Sequence, residues 1–316
     1  MSDLGVFYSR LAMVGIIMVL GFCLGKAKWI SDGTNKQLIN ILLMVAMPAA
    51  LFMAFQRQEF NEEALRTFLV GLGAGALVLV SLAVLGKLMF SKWTLKKASQ
   101  YARSESQFAL IFNNAAFLGL PIINVMVEQG VFGQEALMAY CGFIIPFNFG
   151  LFGYGVYLMK GKFDRKLLVS TLLNPNILAV ALGCVLFVFS VGLPGVVTAT
   201  VDSVAGMMTP LSLICIGYML SRADVKKLIR KRRLFITAAV QLTVGPTLTW
   251  VILWGLGVPA EVRNILVLIQ ALPTATSLGL FAEKYGGDPV SASELVVIST
   301  IMSIGTLPLM LGLLLA

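Results

Sequence analysis

Two neutral amide side chains stand side by side in an apolar segment, residues 107–127 (QFALIFNNAAFLGLPIINVMV). Asn113 and Asn114 are followed in the same segment by Gly119 and Pro121. A bilayer offers no water to the backbone, so a helix can be interrupted there only where it is packed in protein or lines a wet cavity. The segment therefore predicts a broken helix that lines a functional site.

A second apolar segment, residues 266–281 (LVLIQALPTATSLGLF), repeats this arrangement. Its polar residues are Gln270, Thr274 and Ser277, and Pro273 marks the expected interruption. A broken helix exposes amide donors at the start of one half and carbonyl acceptors at the end of the other. Two such helices that cross near the midplane would form a cradle for an anion, such as the carboxylate of a small organic acid.

Each polar feature also has a structural interpretation. The structural alternative for Asn113 and Asn114 is that they form interhelical hydrogen bonds, which hold a membrane bundle together. Both residues coincide with the expected break, and this favours a binding site. Asn174 and Pro175 are typical of a helix entry, as N-cap and first helical residue. Asn176 lies inside that entry, and its role stays open between lining the site and capping the helix.

The composition is typical of a membrane protein. Of 316 residues, 58% are hydrophobic and 12% are charged, whereas about a quarter of the residues in a soluble domain are charged. The net charge of +9 does not indicate a nucleic-acid partner, because the basic residues form short clusters between apolar runs. Histidine is absent and the four cysteines lack metal-site spacing. We therefore expect no enzyme, no metal site and no cofactor.

The apolar runs predict ten membrane spans, each long enough to cross about 30 Å of hydrocarbon. Their expected bounds are 5–25, 36–56, 67–90, 105–127, 135–159, 168–190, 196–220, 234–256, 263–284 and 291–315. Of the 24 Lys and Arg residues, all lie in the odd-numbered links except Arg10, Arg57, Arg66 and Arg263. Cytoplasmic links carry the excess of basic residues. The pattern thus predicts a multi-pass protein of the cell membrane with both termini outside the cytoplasm.

The two halves of the chain are expected to be inverted repeats. Five spans precede the basic fifth link and five follow it, so the second half enters the membrane in the opposite orientation. Pro48 and Pro210 are separated by nearly the same number of residues as the two polar interruptions. We predict an all-α fold of two five-helix repeats, residues 1–160 and 161–316. The crossover or hinge candidates are Pro48, Gly119, Pro121, Pro210 and Pro273.

Charged residues are missing where proton relays and ion pumps usually carry them. The fourth, fifth, sixth, eighth and ninth spans have no Asp, Glu, Lys or Arg near the middle, and Asp202 lies close to the outer end of its span. An inside-negative potential of about 100 mV contributes about 2.3 kcal/mol per charge to expelling an anion. Efflux of a monoanion therefore needs no coupling ion. Binding of sodium at the breaks remains an alternative, and the protein would then be a sodium-coupled carboxylate symporter; a proton-coupled symporter is a further alternative. The alternative from another functional class is a membrane receptor or scaffold that does not transport.

Several motifs resemble those of the auxin efflux carrier family, which includes the plant PIN-FORMED carriers and bacterial permeases named for malonate or malate. The resemblance covers nearly the whole chain. The motifs are INILLMVAMPAALF around Pro48, NNAAFLGLPI around Asn114, NPN at 174–176, VGP at 244–246, and QALPTATSLGLFAEKYG followed by STIMSIGTLPL.

The resemblance implies ten helices in two inverted repeats that both contribute to a scaffold and a transport subdomain. It also implies crossover helices four and nine, as in sodium/proton antiporter-like and bile acid symporter-like folds, and elevator-type alternating access. In the plant carriers two asparagines meet the substrate carboxylate, and the matching positions here are Asn114 and Asn176. Asn113 stands where those carriers have the crossover proline. Their long central loop is reduced here to 160–166, which removes their phosphorylation control, and indole recognition is not assumed.

We expect a small organic anion as substrate, in the form of a carboxylate, an auxin-like molecule or a dicarboxylate. Membrane lipid is a further expected partner, nucleic acid is not, and a homodimer is left open. The candidate substrate-binding residues are Asn113, Asn114, Asn176, Gln270, Thr274 and Ser277.

Overall fold

The computed structural model describes residues 3–91, 98–222, 228, 231–285 and 287–315. Regular structure in this part of the chain is helical, apart from one isolated β-bridge. Some basic residues used in the topology prediction lie outside the described residues, namely Lys92, Lys96, Lys97, Lys226, Lys227 and Arg230.

The α-helices are numbered in chain order. They are α1 (Asp3–Lys26), α2 (Asp32–Ile41), α3 (Met47–Gln56), α4 (Glu62–Met89), α5 (Gln100–Ile111), α6 (Leu120–Glu128), α7 (Glu135–Gly150), α8 (Val156–Lys160), α9 (Arg165–Ser170), α10 (Pro175–Val188), α11 (Gly195–Gly206), α12 (Met208–Ser221), α13 (Arg232–Gly255), α14 (Ala260–Gln270), α15 (Ser277–Tyr285) and α16 (Pro289–Leu315). Single π-helical turns occur at Leu42–Ala46, Ala115–Gly119 and Leu151–Gly155.

Among the residues that the structure describes, six helical runs are long and apolar enough to cross a membrane. They are Asp32–Gln56, Glu62–Met89, Glu135–Lys160, Gly195–Ser221, Arg232–Gly255 and Pro289–Met310, with shorter apolar helices at Ala12–Lys26, Ala115–Glu128 and Pro175–Val188. A run of about 20 apolar residues matches the thickness of the hydrocarbon layer. The prediction of an all-helical multi-pass membrane protein is confirmed, and the count of ten crossings stays a prediction.

Two of the predicted hinge prolines follow local distortions of a helix. Pro48 is the second residue of α3, directly after the π-helical turn Leu42–Ala46. Pro210 is the third residue of α12, after a turn at Met207 that separates α11 from α12. Proline has no N–H to give to the helix, and its ring clashes with the carbonyl four residues earlier. A wider or interrupted turn just before each proline relieves that conflict.

Contacts divide the chain into two compact units, each drawn from three stretches of sequence. Unit 1 contains Met1–Leu69, Ala116–Gly142 and Leu172–Ala223, and unit 2 contains Val70–Ala115, Phe143–Thr171 and Asp224–Ala316. Each unit takes segments from both predicted repeats. The repeat itself stays a prediction, because a division by contacts does not measure symmetry.

In unit 1, α1 packs closely against α12 through small residues. A Cβ at Gly217 would lie 1.9 Å from the carbonyl oxygen of Met18, and one at Gly21 would lie 2.2 Å from the carbonyl oxygen of Ile214. Glycine lets two helix backbones approach this closely, as is common in membrane bundles. The glycines therefore fix the α1–α12 contact in this unit.

Unit 2 is organised around α13, which packs against α5, α14 and α16. Aromatic rings fill the space beside α5, where Phe108 contacts Phe112 and Phe281 with ring centroids 4.9 Å and 6.0 Å away. Both expected interruptions lie in this unit.

Candidate functional site

The chain leaves helical geometry at two places in unit 2. Helix α5 ends at Ile111, and residues 112–114, the first break, are not helical. Helix α14 ends at Gln270, and residues 271–276, the second break, lead to the start of α15. Both interruptions lie where the sequence predicts them.

The two breaks pair with each other in antiparallel fashion. Asn114 N–H donates to the carbonyl oxygen of Pro273 at 2.7 Å, and Ala275 N–H donates to the carbonyl oxygen of Phe112 at 3.0 Å. Asn113 and Thr274 are the partners of the isolated β-bridge. An unpaired backbone group in hydrocarbon costs several kcal/mol, so each break supplies the hydrogen bonds that the other has lost.

The side chains of Asn113 and Gln270 meet beside this bridge. Asn113 Nδ2 donates to Gln270 Oε1 at 2.6 Å, and each residue is 1% exposed. Asn113 Oδ1 and Gln270 Nε2 are buried and have no hydrogen-bond partner among the described residues. If both side-chain amides are flipped by 180°, Gln270 Nε2 donates to Asn113 Oδ1, and Asn113 Nδ2 and Gln270 Oε1 are the atoms without a partner. In either arrangement the pair presents one buried acceptor and one buried donor group that the protein does not use.

Thr274 is held by the neighbouring helices. Its hydroxyl donates to Gln241 Oε1 of α13 at 3.1 Å, and its N–H donates to Ser299 Oγ of α16 at 3.1 Å. Gln241 Nε2 also donates to the carbonyl oxygen of Leu272 at 2.5 Å. Thr274 was predicted as a substrate-binding residue. Its hydrogen bonds instead anchor the second break, and its place in substrate binding stays a prediction.

Gln241 and Ser299 were not predicted as site residues. Gln241 is 1% exposed and Ser299 is fully buried. A buried glutamine in an apolar helix is the kind of residue that forms interhelical hydrogen bonds, and this was the available signal for Gln241. Ser299 lies among several serines and threonines of α16, and nothing in its spacing marks it.

The remaining predicted residues of unit 2 flank the paired breaks. Asn114 is 2% exposed and is fixed through its backbone. Ser277 is the first residue of α15, and its Oγ is buried without a partner among the residues that the structure describes. Gly119 and Pro121 belong to unit 1 and follow the first break in the sequence, at the junction of the π-helical turn with α6.

Asn176 belongs to unit 1, so the structure does not group it with the residues of unit 2. Its N–H donates to Oδ1 of Asn174, the N-cap of α10, at 2.9 Å, and Pro175 is the first helical residue. The capping interpretation therefore holds for Asn174. The side-chain oxygen of Asn176 is buried and has no partner in the described chain, which leaves this amide available for another role.

The site is neutral, and the residues that line it offer amides and hydroxyls. Within the described residues, no group of three or more His, Cys, Asp or Glu side chains could hold a metal ion. A helical multi-pass membrane protein in which two interrupted helices meet has the build of a secondary transporter.

Comparison with known proteins identifies the family. The family model described as membrane transport protein matches residues 6–159 and 159–311, and the chain belongs to this family, which includes the auxin efflux carriers. The resemblance inferred from the motifs is thereby confirmed. The function common to the family is membrane transport.

Two relatives show how far the similarity extends. A protein of Oryza sativa subsp. japonica named "Probable auxin efflux carrier component 5c" is 25% identical over 135 residues, which are 42% of this chain and 36% of the rice protein. A protein of Methanothermobacter thermautotrophicus named "Uncharacterized transporter" is 21% identical over 301 residues, which are 93% of this chain and 94% of the archaeal protein. The long match supports transport as the function, and the short one leaves the substrate to be proposed.

Proposed function

We propose that this protein is a secondary transporter of small organic anions, most of all carboxylates, in the cell membrane. The observation that carries the proposal is the Asn113–Gln270 amide pair, which is buried beside the paired breaks and keeps one donor group and one acceptor unused. Buried polar groups are nearly always hydrogen-bonded. Unused groups at an interrupted pair of helices are therefore expected to serve a ligand.

The proposal includes ten membrane crossings in two inverted repeats, with both termini outside the cytoplasm. In this arrangement α5 with α6 and α14 with α15 are the crossover helices four and nine. Elevator-type alternating access then means that unit 2, which holds both breaks, carries the anion as one body. Labelling of single introduced cysteines from the two sides of the membrane tests the orientation.

Uniport is the proposed mode, with net efflux of a monoanion. The membrane potential alone contributes about 2.3 kcal/mol per charge at 100 mV, and the amides provide binding without a fixed charge. A sodium- or proton-coupled symporter is the second candidate. Transport that stops without a sodium or proton gradient would select the symporter.

The unused groups also bear on which anion binds. Gln270 Nε2 suits a carboxylate oxygen, whereas Asn113 Oδ1 needs a hydrogen-bond donor. A carboxylate with a neighbouring hydroxyl satisfies both groups. We therefore expect lactate to compete for transport more strongly than propionate, which has the same carbon chain and no hydroxyl.

The test of the proposal is uptake of radiolabelled carboxylates by proteoliposomes that contain the purified protein. Asn114→Ala is expected to abolish transport while the protein still inserts and folds. The matched control is Asn148→Ala, because Asn148 is a buried asparagine of unit 2 whose amide donates to Ile144 O of its own helix. Full uptake by Asn114→Ala, or equal loss in both variants, would contradict the assignment.

A further inference from the structure

The first half of α5 carries an ion pair that the proposed substrate site does not use. Glu105 is 1% exposed, and its Oε2 accepts hydrogen bonds from Arg233 Nη2 of α13 at 3.0 Å and from Ser291 Oγ of α16 at 2.9 Å. Arg233 also donates to the carbonyl oxygen of Ala102 at 2.8 Å and to Ser291 Oγ at 2.7 Å. One guanidinium group therefore ties α5, α13 and α16 together.

The second carboxylate oxygen of Glu105, Oε1, takes no part in this ion pair. Oε1 is buried and has no hydrogen-bond partner in the described part of the chain. A buried carboxylate is costly unless its charge is paired and its oxygens are hydrogen-bonded. A proton on Oε1 removes the charge and leaves Oε2 able to keep both donors. A multivalent metal ion would need several oxygen ligands, and the described residues hold no such cluster.

Two charged groups act on Glu105 in opposite directions. Arg233 faces it from α13 and favours the ionised form, whereas Asp288 acts on it from the segment before α16 and disfavours a second negative charge. Burial of the carboxylate also disfavours the ionised form. A proton on Oε1 removes both of these costs. Lys231, two residues before Arg233, forms a separate ion pair with Glu294.

We propose that Glu105 is a proton-binding site that regulates the carrier from one end. A proton from solvent binds Oε1, reached past Arg233, whose side chain is 30% exposed. The ion pair then becomes a hydrogen bond between a cation and a neutral acid, which is weaker. The attachment of α5 and α16 to α13 loosens as a result.

The Glu105–Arg233 ion pair joins the same helices that hold the two breaks. Helix α5 ends at the first break, and α13 carries Gln241, which holds the second break. The pH on the side of Arg233 is therefore expected to set the transport rate. The effect of pH on the transport rate rests on the proposed transport function, whereas the proton site at Glu105 does not.

The proton site is tested by infrared difference spectroscopy of the purified protein during a pH titration. We expect the carbonyl band of a protonated, buried carboxylic acid in the wild type and in the control Glu294→Gln, whose carboxylate is at the more exposed ion pair. Glu105→Gln should lack the band. Ser291→Ala should move its midpoint to higher pH, because the ionised form loses a donor. A band that persists in Glu105→Gln would overturn the proposal, as would one that follows sodium concentration at constant pH.

Regulation is tested by carboxylate uptake at a series of pH values. Glu105→Gln keeps a neutral side chain of the same shape, so its rate should be independent of pH and equal to the low-pH plateau of the wild type. Glu294→Gln should keep the wild-type pH profile. A wild-type profile in Glu105→Gln would refute regulation by this residue. If neither the wild type nor any variant transports carboxylate, while the infrared result is as expected, the transport function is refuted and the proton site is not.

Discussion

The two breaks of unit 2 pair with each other, yet they are built differently. The first break has no proline, spans residues 112–114 and takes its backbone hydrogen bonds from the second break. The second break contains Pro273 and is also bonded to Gln241 of α13 and Ser299 of α16. The second break is thus anchored by its surroundings, and the first is anchored by the second.

This difference bears on the expectation that Asn113 stands where the plant carriers have the crossover proline. Phe112 is already extended, with φ −111° and ψ 103°, a conformation that also suits a residue before proline. The interruption at Asn113 therefore depends on pairing with the second break. Its side chain is left free to pair with Gln270.

The strongest test of this dependence is Gln241→Met, which keeps the length of the side chain and removes its amide. Leu272 O and the Thr274 hydroxyl lose their partner, and one buried unpaired group costs about 1–3 kcal/mol. We expect a lower melting temperature in detergent and faster amide hydrogen exchange at both breaks. The control is Thr243→Val, because Thr243 is exposed and its hydroxyl donates to Ala239 O of its own helix. Unchanged exchange at the first break would show that it does not depend on the second.

Ser299→Ala is expected to have a smaller effect. It removes the acceptor of the Thr274 N–H while Gln241 still holds the threonine side chain. A loss of about 1 kcal/mol follows from one unpaired backbone donor, with faster exchange confined to the second break. Ser303→Ala is the control, since the hydroxyl of Ser303 bonds within its own helix to Thr300 O. Equal effects of Ser299→Ala and Ser303→Ala would show that Ser299 does not anchor the second break.

Pro273→Ala is expected to have the smallest effect. The carbonyl of residue 273 still accepts from Asn114 N–H, and loss of the ring costs about 0.4–1 kcal/mol through the unfolded chain. Hydrogen exchange should show that residues 271–276 stay non-helical. A helical protection pattern through these residues would mean that the proline, and not the anchors, makes the break.

The sequence predicts much of this unit but not its anchors. Apolar length locates the helices, and Asn113, Gln270 and Pro273 mark the breaks because polar residues and proline are costly inside a membrane helix. Gln241, Ser299 and the Glu105–Arg233 pair were missed. Their partners lie far away along the chain, and such contacts leave no periodic signal. Thr274 lies in the second break, but which of its neighbours takes its hydrogen bonds depends on tertiary packing.

The central claim is that the Asn113–Gln270 pair serves a ligand and not the stability of the bundle. The most direct measurement is carboxylate uptake and melting temperature of the double variant Asn113→Leu with Gln270→Met. Replacing both partners of a buried hydrogen bond by apolar groups of the same shape is nearly neutral for stability. We predict a melting temperature close to that of the wild type together with loss of uptake. Retained uptake with a lower melting temperature would contradict the claim and make the pair a structural bond.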